Sequence, residues 1–133
     1  MIAWPGKQED SKAPILDLDY LDRLSGHLGS EIASELLADG MLELADRLDR
    51  IADLADQHDV DGLLRLTHDI TGASGHLGLT ALSRHAAIAN RDLRSAAPGR
   101  APKIVRPMLD VRSVSIEALG SYCRNASASN QVL

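Results

Sequence analysis

The chain has 133 residues, 44% of them apolar, with a net charge of −5: enough for one hydrophobic core, but without the basic, aromatic surface that nucleic-acid binding requires. Phe is absent and aromatics make up 2%, so Leu, Ile, Val, Ala and Met must fill the core, which suits packed helices better than a sheet. A single Cys, no run near about 18 apolar residues and a polar N-terminus unlike a signal peptide predict a cytoplasmic, all-α protein that does not span a membrane.

Residues 1–14, with Pro5, Gly6 and Pro14, read as an extended arm whose one sticky residue is Trp4, expected to pack on the bundle or on a neighbouring molecule. A short helix is expected near 17–28, with Leu18, Leu21, Leu24 and Leu28 at helical spacing and Gly29 as its stop. Ser30 is expected to cap a long helix over about 31–57, where Leu37, Met41, Leu44, Leu48, Ile51 and Ala55 line one face. Gly40 is a soft spot in that helix. Asp59 or Asp61 should cap a third helix that ends near Gly78. Thr80 should cap a fourth over 80–96, with Leu82, Ala86, Ala89 and Leu93 inward, before Pro98-Gly99 breaks it.

The last helix, over 101–123, either begins near Pro102 and kinks at Pro107 or begins near Pro107 itself. Ile104, Met108, Val111, Ser115, Ala118 and Tyr122 keep helical spacing in both cases, and residues 126–133 read as a polar tail. The bundle thus occupies residues 15–125. Short connections predict an antiparallel up-down four-helix bundle, with the additional N-terminal helix covering one end.

Charge divides along the chain. Residues 1–62 hold 5 Lys+Arg and 15 Asp+Glu, whereas residues 63–133 hold 9 and 4. Arg65, Arg84, Arg91, Arg94, Arg100, Lys103, Arg106 and Arg112 therefore form either a basic region that steers an acidic partner or ordinary solvated helix faces.

The most informative segment is His68-Asp69-Ile70-Thr71-Gly72-Ala73-Ser74-Gly75-His76-Leu77-Gly78. At about 100° per residue, Thr71, Gly72 and Gly75 lie roughly 60°, 40° and 20° from His68, while Ile70 points about 200° away. Leu63, Leu66, Ile70, Ala73, Ser74 and Leu77 make the stripe expected to face the core, which turns His68 to solvent. A helix-interior Gly costs about 1 kcal/mol relative to Ala, so Gly72 and Gly75 beside an outward histidine point to close approach by another molecule. Leu64, about 40° from His68 and off the core stripe, is a candidate docking contact.

This segment resembles the histidine-containing phosphotransfer (HPt) domain, whose motif runs roughly His-x-Leu-Lys-Gly, small residues, an apolar residue and Gly. Here it becomes His68-Asp69-Ile70-Thr71-Gly72, then Ala73, Ser74 and Gly75, then Leu77-Gly78. Asp59 and Leu63 precede at matching offsets, and Leu82 to Arg94 corresponds to the next family helix. Thr71 stands where the family has Lys.

The resemblance implies that the outer ring nitrogen of His68 takes a phosphoryl group from a receiver-domain aspartate or a sensor (hybrid) histidine kinase and passes it to another response regulator. The chain would be a carrier rather than an enzyme, with Mg²⁺ and most catalytic groups on the receiver, no cofactor or metal of its own, and a monomeric state. Thr71 would hydrogen-bond a phosphoryl oxygen or face solvent without contact, and Arg65 or Arg84 would supply the missing cation.

Other readings are a phosphorylation-dead helical adaptor, the phosphotransfer module of a chemotaxis-type kinase, and a metal-dependent HD phosphohydrolase, which His68-Asp69 resembles. The last needs further ligands converging from several helices. His27, His58, His76 and His85 lack tight ligand spacing and read as surface or half-buried helix positions.

Overall fold

A computed structural model describes residues 13–132, with side chains described to residue 126. Trp4 and the rest of the expected arm before residue 13 lie outside the described residues. The elements are α1 (Leu18–Leu28), α2 (Ser30–Asp56), α3 (Val60–His76), α4 (Thr80–Leu93), a 3-10 turn (Pro98–Arg100), α5 (Ala101–Asp110) and α6 (Arg112–Val132). No strand occurs among the described residues, and no helix there is long and apolar enough to cross a membrane.

The helices form where apolar residues recur at steps of three and four. On α2, Leu37, Leu44, Leu48, Ile51 and Ala55 are buried and Met41 packs against them; on α4, Leu82, Ala86, Ala89 and Leu93 are all buried. Leu63, Leu66, Ile70 and Ser74 present the expected inner stripe of α3, continued by Leu77 at its C-cap, with Ala73 at its half-buried edge. On α1 only Leu21 is buried, while Leu18 and Leu28 are 55% and 38% exposed, because this short helix touches the bundle along a single line.

Two caps differ from expectation. Gly29, at φ +85°, takes the cap position before α2, and its carbonyl accepts the Ala33 N–H at 3.0 Å, so Ser30 is already helical. Leu79 precedes α4 with its side chain fully buried, which fixes the chain there and makes Thr80 the first helical residue. Asp59 does cap α3, its carboxylate accepting the Gly62 N–H at 3.0 Å.

Gly40 is a packing site rather than a soft spot: a Cβ there would sit 2.5 Å from Leu77 Cδ2, so α2 and the turn after α3 meet where Gly40 leaves room. Gly78 turns the chain at φ +71° under Leu21, whose Cγ would lie 2.9 Å from an added Cβ.

The expected last helix is two helices, divided at Val111 and not at Pro107. Pro107 sits within α5 on its exposed side, where the carbonyl left without a helical partner belongs to the exposed Lys103. α6 runs on through the residues expected as a tail, to Val132.

Polar ties hold α1 in place. The Asp17 N–H donates to the Gly78 carbonyl at 2.8 Å, the Tyr20 hydroxyl to the His76 carbonyl at 2.7 Å, and the Tyr122 hydroxyl to Asp22 at 2.8 Å. Burial pushes the Tyr122 phenol and the Cys123 thiol above their ordinary ranges. Arg112 pairs with Asp49 at 2.6 Å and reaches the Ala45 carbonyl, clamping α6 to α2.

Candidate functional site

Among the described residues α3 and α4 share the most extensive interface and run antiparallel, Thr71 meeting Ser83 and Leu64 meeting Asn90. This pair sets the surroundings of His68. Ile70 is fully buried under α3, which rotates His68 to the opposite, exposed side of the helix.

Gly72 and Gly75 share that exposed face. A Cβ added at Gly72 would meet nothing within 4 Å, and one at Gly75 would meet only Ser83 Oγ at 3.8 Å. Internal packing therefore does not require glycine at either position. The backbone beside His68 is left bare on the exposed face of α3.

Next to it runs an open groove lined by Thr71 and Gly75 of α3 and Thr80, Ser83, Arg84 and Ala87 of α4, with Asp17 at one end. It unites three of the residues expected beside the phosphoryl group or the partner: Thr71, Gly75 and Arg84. Arg65 is exposed on α3, one turn before His68.

The neighbouring arginines do not all join this surface. Arg112 is committed to Asp49 on α2, and Arg91 to the adjacent Asp92 at 3.1 Å.

Two of the expected site residues make contacts within the chain. The Thr71 hydroxyl donates to the Thr67 carbonyl at 2.8 Å, a bond within its own helix. Leu64 is half-buried and packs against the core cluster at the edge of the bundle.

His27, His58 and His76 are exposed and His85 is half-buried. Among the described residues no three His, Cys, Asp or Glu side chains are grouped to hold a metal ion.

Three residues near His68 escaped the sequence reading: Thr67, Ser83 and Asn90. The Ser83 hydroxyl donates to the Thr71 carbonyl at 2.9 Å, and the Asn90 amide donates to the Leu64 carbonyl at 2.9 Å and to Thr67 Oγ1 at 3.0 Å. A signal existed: Ser83 and Asn90 are seven residues apart on the flank of α4's apolar face, opposite Thr67 and Thr71 four apart on α3.

No curated protein sequence matches the chain. Its fold matches the crystal structure of histidine-containing phosphotransfer protein B from Pseudomonas aeruginosa PAO1, with a TM-score of 0.75 at 21% identity over 86% of this chain and 98% of that one. Residues 35–123 match the model of the Hpt domain, a span that holds His68, both glycines and the whole α3–α4 pair. The chain therefore belongs to the Hpt domain family, the histidine phosphotransfer proteins of phosphorelay signalling.

Proposed function

We propose that His68 is the phosphoacceptor. The observation behind this is an exposed histidine flanked on its own face by Gly72 and Gly75, whose missing side chains no internal contact explains. An unprotonated imidazole nitrogen attacks the phosphorus of a receiver's aspartyl-phosphate; the new N–P bond forms as the P–O bond breaks, and the aspartate leaves as carboxylate. The reverse sequence loads a second receiver. Mg²⁺ belongs to the receiver, and this chain supplies placement.

In this reading α2, α3, α4 and the α5–α6 pair make the antiparallel up-down four-helix bundle, with α1 across one end. Gly72 and Gly75 admit the receiver's loops, the edge of Leu64 borders the contact, and Arg65 and Arg84 provide positive charge that Thr71 does not. The partners are receiver domains and a sensor (hybrid) histidine kinase, met by a monomer in the cytoplasm.

Incubation with each phosphorylated receiver of the source organism, following transfer of label, tests this. Rapid labelling by one or a few receivers is expected. A chain that binds a receiver yet accepts no label from any of them would be a phosphorylation-dead adaptor, for which the missing family Lys is the argument.

A further inference from the structure

We infer that Asn90 is a positioning residue: with Ser83, it fixes the rotation of α3 against α4 and so aims His68 at its phosphoryl donor, an inference that rests on His68 being the acceptor. Both Asn90 amide hydrogens are used on α3, at the Leu64 carbonyl 2.9 Å away and at Thr67 Oγ1 3.0 Å away. The Leu64 carbonyl is the helical partner of the His68 N–H, so the Asn90 bond acts on the peptide group that carries the acceptor's own turn. Thr67 spends its hydrogen on the Leu63 carbonyl at 2.7 Å, leaving a lone pair for Asn90. Ser83 repeats the device one turn on, donating to the Thr71 carbonyl at 2.9 Å. Relative to His68, the seam grips positions four before, one before and three after it.

The polar seam is the directional part of the interface. The inner face of α4 offers Leu82, Ala86, Ala89 and Leu93. Apolar burial is non-directional, whereas hydrogen bonds weaken steeply off line. An imidazole stands roughly 5–6 Å from the helix axis, so a turn of about 10° moves it by about 1 Å. A misplacement of about 1 Å can cost up to about 100-fold in transfer.

The test compares Asn90→Leu, Asn90→Asp and Ser83→Ala with the wild type and with His68→Gln. Each is labelled by phosphoramidate, a small donor that reaches the ring from many directions, and by whichever aspartyl-phosphate receiver labels the wild type. Folded Asn90 variants should lose about tenfold in transfer rate at saturating receiver, while receiver affinity and phosphoramidate labelling stay within about twofold. Ser83→Ala should shift the same way by less. Backbone residual dipolar couplings should show α3 turned relative to α4 in Asn90→Leu, which a merely stabilising role would not produce.

Wild-type transfer at saturation in folded Asn90→Leu and Ser83→Ala overturns this inference alone. Label surviving in His68→Gln overturns the acceptor assignment, and this inference with it.

Discussion

Ile70 and His68, two residues apart on α3, face opposite ways: Ile70 is fully buried in the core and His68 is exposed. Their substitutions should separate stability from function. Ile70→Ala should cost about 2–5 kcal/mol, the range for emptying a fully buried apolar site, and His68→Gln less than about 0.5 kcal/mol. Chemical denaturation of the two variants checks both values.

Gly72 and Gly75 extend the same division to the backbone. Because an added side chain at either meets open space or only Ser83 Oγ at 3.8 Å, Gly75→Ala should fold as well as the wild type or gain up to about 1 kcal/mol. Gly72→Leu and Gly75→Leu should also stay helical, yet block phosphoryl transfer from a receiver. Thermal melts beside transfer kinetics read the two effects; wild-type transfer in both Leu variants would show that receivers do not dock on this face.

Thr71→Lys gives up the bond from the Thr71 hydroxyl to the Thr67 carbonyl and restores a cation where the family has one. That bond is local to the helix, so the loss in stability should stay below about 1 kcal/mol. The steady phosphorylated fraction should rise, by faster gain or slower loss of the phosphoryl group, and a pulse-chase of label distinguishes the two.

Tyr122 ties α6 to α1 through Asp22 and Ser25, and burial raises its pKa in the folded chain above the ordinary 10.0. A raised folded value means that its stabilisation is complete below the unfolded pKa and is lost as pH climbs through the folded one. Cys123, raised above its ordinary 9.0, acts in the same direction. Melting temperature should therefore fall as pH rises above about 9–10, and the fall should be shallower in Tyr122→Phe, whose ring cannot ionise.

Much of this was legible in the sequence because helical periodicity reports which side of a helix is dry. The stripe from Leu63 to Leu77 placed Ile70 inside and His68 outside, and the Asp59 cap follows from side-chain chemistry three residues in range. What the sequence withheld depends on packing between distant segments. Gly40 reads as a helix weakness until Leu77 is seen resting on it, and Ser30 and Thr80 lose their caps because Gly29 and the buried Leu79 set where the chain turns. Asn90 could not be matched to Leu64 and Thr67 without the register of α4 on α3, and the break at Val111 falls where neither proline pointed.

The most direct measurement is the site of the phosphoryl group itself. Wild-type chain labelled by a phosphorylated receiver should carry an acid-labile, alkali-stable modification, as expected of phosphohistidine. His76→Gln and His85→Gln should keep it, and His68→Gln should lose it entirely while melting like the wild type. Label retained at full level in His68→Gln would contradict the account.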